Sequence, residues 1–244
     1  MDSVRSPAFV GREIEQRWLE EALAQPATRL VVIEGEAGIG KSRFIKETIQ
    51  VPATRDEVLV LRCPPISTPF PLGALVDAVG RMSPPGERLG RLAGTLRPLL
   101  PEWSDILPEP MPPMESAAME RQRLFRALEE LLRTLGVRTV VVDDVHWADE
   151  ITHEFLLHLA TVEVEAPVRV VEAWRSEERP PPKLVARISR IASGSTGRVI
   201  RLGPLDLTTT ERFVASMLPR PGASPRIAGL LHRRAQGVRS CWKN

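Results

Sequence analysis

The densest chemistry in the sequence lies in one short run, Gly35-Glu36-Ala37-Gly38-Ile39-Gly40-Lys41-Ser42, followed by Arg43. It fits the spacing G-x-x-x-x-G-K-[ST]. Gly35, Gly38 and Gly40 let the backbone wrap closely around a polyphosphate with N–H groups turned inward, and a helix opening at Ser42 adds its partial positive charge. Lys41 is expected to reach the β- and γ-phosphates of ATP, or the β-phosphate of ADP. The Ser42 hydroxyl is placed to complete the shell of Mg²⁺, a hard ion that takes oxygen ligands in octahedral geometry. The bland alternative is a glycine-rich turn that binds nothing, and the strand before the run and the helix after it count against that.

Such a metal needs an acidic side chain at the end of a strand. Val140-Val141-Val142-Asp143-Asp144 supplies two. Asp143 is expected to hold Mg²⁺ through water, and Asp144 to face the γ-phosphate and orient or deprotonate an attacking water. Read without the glycine-rich run, the same pair could simply be turn residues ending a strand.

The elements that must position these groups are legible as alternating patterns. Leu30 to Glu34, Val58 to Leu61, Thr139 to Val142, Val168 to Val171 and Val199 to Leu202 read as buried strands. Helical patterns fall between them: Gly11 to Ala24, with Ile14, Trp18, Leu19 and Leu23 on one stripe, Ser42 to Gln50, and Glu115 to Leu135, stopped by Gly136. Strands separated by helices predict an α/β fold with a parallel sheet covered on both faces. Twelve of the 23 prolines fall between Pro64 and Pro113. That stretch reads as an insertion on the sheet, with helical pieces near Leu72 to Met82 and Arg88 to Leu100. After residue 203 the pattern turns helical. Thr208 and Glu211 suggest a capping box for a helix to Leu218, and Ser224 with Pro225 a second helix to Gln236. The organisation expected is therefore a core over 1–203 and the start of a helical lid over 204–244.

With both motifs placed, the chain resembles the signal-transduction ATPases with numerous domains and related AAA-like ATPases, especially the ATP-binding module of LuxR-type large bacterial transcriptional regulators. The resemblance runs from about Phe9 to Gly237. It implies a P-loop NTPase of the ASCE type with strand order 5-1-4-3-2. Gly35 to Arg43 resembles the family's Walker A segment, Asp143-Asp144-Val145-His146-Trp147-Ala148-Asp149 its Walker B extension, and Gly203-Pro204-Leu205 the start of its lid. From the resemblance alone, Val10, Gly11 and Arg12 would contact adenine. Arg175 would take the place of a sensor arginine; a surface arginine beside Glu177 and Glu178 is the equal alternative. His146 and Trp147 are expected to pack the strand end against the next helix. The family's lid runs on through Gly-x-Pro-Phe, whereas here Gly237 is followed by Val-Arg-Ser-Cys-Trp-Lys-Asn244. A shifted reading frame that ends the chain inside the lid is the expectation drawn from that tail.

Composition bounds the rest. Of 244 residues 43% are hydrophobic and 26% charged, with 33 basic against 31 acidic side chains. A core of ordinary size follows, and no strong polyanion partner. Cys63 and Cys241 match no metal spacing and His153 and His158 lack partner ligands, so no metal site is expected beyond that of Mg²⁺. A reducing cytoplasm is the default compartment, because no apolar run approaches the roughly 18 residues of a membrane span and the N-terminus has no signal-peptide core. The last 33 residues carry seven basic groups and no acid. Without an aromatic or helix-turn-helix pattern they read as a solvated lid, and no DNA-binding domain is expected in this chain. The function expected is a Mg-ATP-binding, slowly hydrolysing switch of a signalling or transcriptional regulator that associates with itself according to nucleotide state. A ring-forming AAA-type motor or DNA-loading ATPase, and an inactive nucleotide-binding remnant, are the rivals.

Overall fold

Each valine-rich run becomes a strand, and helices fill the intervals. In the computed structural model, residues 9–49, 57–63, 65, 70–86, 89–164, 167–177, 185–186, 189–190, 194–217, 228–230 and 232 are described. The elements are α1 (Glu13–Ala24), β1 (Leu30–Gly35), α2 (Lys41–Ile49), β2 (Val58–Arg62), α3 (Gly73–Gly80), α4 (Ala117–Thr134), β3 (Thr139–Asp143), α5 (Glu150–Thr161), β4 (Arg169–Arg175), β5 (Gly197–Leu202) and α6 (Leu207–Met217). All described pairings are parallel, in the order β2-β3-β4-β1-β5. This is the expected order read from the other edge.

Alternation along the strands divides the core in two. Leu30, Val32, Leu59, Leu61, Val140, Val142 and Val170 join α3, α4 and α5 on one face. Val31, Ile33, Val141, Val171, Ala173, Ile200 and Leu202 join α1 and α2 on the other. Both faces are covered, so β1 and β3 read as continuous apolar runs, whereas the edge strand β5 alternates, with Arg198 and Arg201 exposed.

Several local expectations are corrected. On α1, Ile14 and Trp18 are 61% and 51% exposed, and only Leu19 and Ala22 are buried. The helix lies along α2 and β5 at the margin of the sheet, where a narrow stripe suffices. In the proline-rich stretch α3 is helical, but the second piece is a 3-10 turn over Arg91–Leu96 followed by another over Pro101–Trp103. Gly94 explains part of this, since a Cβ there would lie 2.2 Å from the Glu109 carbonyl oxygen, and Pro98 and Pro101 cannot donate to a continuing ladder. The stretch also belongs to the core, because Leu75, Leu96, Leu100, Trp103 and Leu107 are buried in the cluster that holds β2 and β3.

Helix α4 matches its expectation closely. Ser116 caps its start by accepting from the Met119 amide at 3.3 Å. At its end Gly136 sits at φ +77°, with Val137 N donating to Leu132 O and Gly136 N to Arg133 O, which is a Schellman stop. For α6 the cap is Asp206, not Thr208: the Thr209 amide donates to Asp206 Oδ1 at 2.6 Å, and that bond holds the Asp206 carboxyl below its usual value. A carboxylate two residues earlier outcompetes the threonine hydroxyl for the free amides of the first turn. The second lid helix and the Gly237 tail lie outside the described residues, except for 228–230 and 232; the His232 ring nitrogen lies 3.0 Å from Thr210 Oγ1 on α6.

Candidate functional site

All the chemistry-bearing residues gather at the C-terminal edge of the sheet, where parallel strands give way to loops. After Gly35, at the end of β1, the chain turns through Gly38 at φ +74° and Gly40 at φ +102° into α2. Residues with a Cβ rarely adopt those angles. Gly35 is needed for a different reason: a Cβ there would lie 2.8 Å from Leu202 O on β5 and 3.0 Å from Ile39 Cγ2. Glycine therefore lets the loop curl against the neighbouring strand. Lys41 is 7% exposed and folds back so that Nζ donates to the carbonyls of Gly35 and Glu36, both at 2.8 Å. Burial pulls its ammonium below the ordinary lysine range, and the charges of Asp144 and Glu177 act against that pull.

Strand β3 delivers the acidic pair from two positions along the sheet. Ser42 Oγ donates to Asp143 Oδ1 at 2.9 Å across 101 residues of sequence. Two hard oxygen donors are thus held side by side next to the glycine loop, a donor set suited to Mg²⁺. Asp144 leaves the strand in the left-handed region, φ 52° and ψ 48°, an uncommon conformation outside glycine that aspartate tolerates better than most residues. That turn aims Asp144 away from Asp143 and toward β4, where Arg175 Nε donates to Asp144 Oδ1 at 3.2 Å. Both members of this pair are about one-third exposed. Its direct contribution to stability is therefore small, on the order of 0–1 kcal/mol, and its consequence is orientation.

Further along, Asp149 caps α5 by accepting from the Thr152 amide at 2.9 Å and also accepts from the Leu72 amide at 3.2 Å, tying the proline-rich stretch to the acidic segment. His146 is almost wholly covered and lies 4.0 Å from Asp144. Trp147 is 39% exposed and lines a cavity of about 270 Å³ with Arg62, Cys63, Phe70, Asp77 and Asp149. Burial pushes the Cys63 thiol up to about 12. His158 is engaged elsewhere, its Nε2 3.0 Å from the buried Glu129 carboxylate.

Glu177 was read only as an acidic neighbour of Arg175. The structure brings its carboxylate onto the glycine loop, where the Ala37 amide donates to Glu177 Oε1 at 2.7 Å. That bond, more than any nearby charge, holds the Glu177 carboxyl below the usual glutamate value. The sequence signal available was its position two residues beyond the end of β4, beside β1 in the sheet; the pairing Gly35↔Arg175 makes the proximity necessary.

The segment expected to meet a base has a packing role visible in the structure. Gly11 is at φ +64°, and a Cβ there would lie 1.9 Å from Thr209 Cγ2 on α6. The Arg12 guanidinium, 6% exposed, donates to Glu15 Oε1 at 2.8 Å and to the Gly203 carbonyl. Phe9 stacks under the Arg43 guanidinium at 5.8 Å. Val10, Gly11 and Arg12 thus connect the start of the chain to the beginning of α6, beside the glycine loop.

Comparison with known proteins agrees with this geometry. The model of the AAA ATPase domain family matches residues 8–171. An uncharacterized protein of Rhizobium meliloti (strain 1021) is 31% identical over 231 residues, covering 86% of this chain and 22% of that protein. The chain thus spans about a fifth of the length of that curated relative. Among solved structures, Cdc6p from Pyrobaculum aerophilum superposes with a TM-score of 0.55 at 16% identity, over 95% of this chain and 57% of that one. Domain III of the Thermotoga maritima replication initiation protein DnaA aligns with a TM-score of 0.49 at 13% identity, over 96% of this chain and 81% of that one.

Proposed function

Because the chain belongs to the AAA ATPase domain family, whose model covers two-thirds of it, we propose that it binds Mg-ATP at the C-terminal edge of the sheet and hydrolyses it slowly as a nucleotide switch. The observation that carries this reading is the bond from Ser42 to Asp143, which sets two metal-type oxygens beside a loop that turns through Gly38 and Gly40 at positive φ. The amides from Gly38 to Ser42 and the N-terminus of α2 would cradle the phosphates. Glu36, Ala37, Ile39 and Arg43 complete the loop's contact surface.

Lys41 Nζ would leave the carbonyls of Gly35 and Glu36 for the β- and γ-phosphates, which exchanges two neutral acceptors for charged ones. Ser42 and Asp143 would hold Mg²⁺, and the ion would offset charge on the β- and γ-oxygens. Asp144 orients a water against the γ-phosphate and accepts its proton, while Arg175 fixes the carboxylate and presents positive charge to the same region. Glu177 must release the Ala37 amide for phosphate to approach it, so nucleotide arrival is coupled to movement at the end of β4. Val10, Gly11 and Arg12 would place the base against the start of α6, where nucleotide state can alter lid docking. A role within a signalling or transcriptional regulator, and self-association that follows nucleotide state, extend this reading. The similarity to the much longer Rhizobium protein supports a module within a larger assembly.

The deciding measurement is binding of a fluorescent ATP analogue, with phosphate release in parallel. Lys41→Ala is expected to weaken binding about 100-fold, given the several kcal/mol that charge-assisted contacts to phosphate supply. Equal binding by wild type and Lys41→Ala would overturn the proposal.

A further inference from the structure

Three strands along the sheet from the glycine loop, the cavity of about 270 Å³ lies at the end of β2. One wall is the first half of α3, with Val76 and Asp77; another is the segment Trp147-Ala148-Asp149. Cys63 and Phe70 complete it. Arg62 borders the cavity too, but Leu59 and Leu61 join the α3 face, so by alternation Arg62 falls on the face of α2, in register with Asp143. The charged side chains left on the cavity's own face are two carboxylates, Asp77 and Asp149.

Those carboxylates differ in what they already hold. Asp149 accepts from the Thr152 and Leu72 amides, whereas Asp77 is exposed and no ion pair reaches it among the described residues. Burial and then the charges of Asp149, Asp143 and Asp144 push the Cys63 thiol up to about 12, so it stays neutral and the cavity is electronegative. Trp147 is 39% exposed and Phe70 67%, which leaves two aromatic rings at one cavity without full cover. The face of an indole attracts a cation more strongly than any other side-chain ring. Carboxylate and ring thus select the same sign of charge, and Val76 and Ala148 suit an apolar stem. The volume lies just below the roughly 300–1,000 Å³ of sites for drug-sized ligands, which restricts the occupant to a small molecule.

This wall is tied to Asp144. Trp147 N donates to Asp144 O and Ala148 N to Val145 O, both at 3.0 Å, and at the far end Leu72 N donates to Asp149 Oδ2 at 3.2 Å. Among the described residues Leu72 and Asp144 are the non-glycine residues at positive φ, 58° and 52°, and they hold the two ends of the same segment. Backbone in that region persists where its surroundings over-determine it, and such positions cluster at ligand clamps and switches.

We propose that the cavity binds a small organic cation, a guanidinium or ammonium group on a short apolar stem, with its head between Trp147 and Asp77 and its stem against Val76 and Ala148. Occupancy steadies Trp147 and, through its amide, the turn that sets Asp144. That consequence rests on the proposed role of Asp144; the binding itself does not.

The test is a titration of the full chain with butylguanidinium and butylammonium, against butyrate and sodium chloride at matched ionic strength. The Trp147 indole Nε–H resonance is followed by NMR, and phosphate release from ATP is measured in parallel. Both cations should shift that resonance to saturation, and butyrate should not. Asp77→Asn, an exposed position, should weaken binding about tenfold, and Trp147→Leu, measured by calorimetry, at least as much. Saturating butylguanidinium should raise phosphate release about fivefold. Equal shifts with butyrate, or binding undiminished in Asp77→Asn, would overturn the proposal. Phosphate release indifferent to a bound cation would overturn the link to Asp144. No phosphate release under any condition would count against the nucleotide reading instead, and the Trp147 titration would still decide the cavity.

Discussion

The two edges of the sheet handle charge in opposite ways. At the C-terminal edge the groups that follow β1, β3 and β4 meet complementary ones: Ser42 with Asp143, Arg175 with Asp144, Glu177 with the Ala37 amide, Lys41 with two carbonyls. At the N-terminal edge Arg29 and Arg169 lie opposite one another, and Arg29 Nη1 and Arg169 Nε are buried without a hydrogen-bond partner among the described residues. The contacts of the first edge are met from within the fold, each charged or polar group by another. The contrast teaches that one parallel register sets complementary groups together at one end of the sheet and like charges opposite each other at the other.

Four changes test that contrast, in descending order of expected effect. Asp144→Asn should lower phosphate release about 100-fold, equivalent to about 2.7 kcal/mol in the barrier, with unfolding temperature almost unchanged, because the Asp144 pair is about one-third exposed. A large loss of stability instead would make Asp144 a structural residue. Gly35→Ala should cost about 2 kcal/mol in chemical denaturation, since its Cβ would press on the Leu202 carbonyl, and should displace the loop enough to weaken nucleotide binding as well. Glu177→Gln should tighten ATP-analogue binding by about three- to fivefold at neutral pH, because a charged competitor for the Ala37 amide becomes neutral. The sign of its pH dependence follows from a folded-state value lowered below 4.5: the contact is fully present above that pH and is lost as pH falls through the lowered value. The gain from Glu177→Gln should therefore vanish in acid. Arg138→Met, at the other edge, should change ATP-analogue binding and phosphate release less than twofold. A larger effect would show that the two edges communicate.

Much of this was legible in the sequence, for reasons that differ by residue. The run from Gly35 to Ser42 could be read because its glycines, lysine and serine must lie at fixed chain spacing to wrap one ligand group. Asp143 and Asp144 were legible because three preceding valines announce a buried strand whose end must be polar. Arg175 was visible as a candidate, but its partner was not, since Arg175 and Asp144 meet across strands 31 residues apart. The cap of α6 was misplaced because threonine and aspartate both cap helices, and only the backbone path shows that Asp206 reaches the free amide. The stripe on α1 was misjudged because helical periodicity marks an apolar face without saying how much of it a neighbour covers.

What the sequence determined by itself is therefore local or strictly periodic: the phosphate-type loop, the strand runs, the stop at Gly136 and the α/β alternation. Chain connectivity at short range dictates those features whatever surrounds them. Tertiary structure alone decided which groups from distant strands became neighbours. Parallel register set Arg175 beside Gly35, which placed Glu177 on the Ala37 amide, and the same register at the other end set Arg169 opposite Arg29. Those contacts depend on strand order and on a one-residue register, quantities fixed by packing both faces of the sheet and written in no single stretch of the chain.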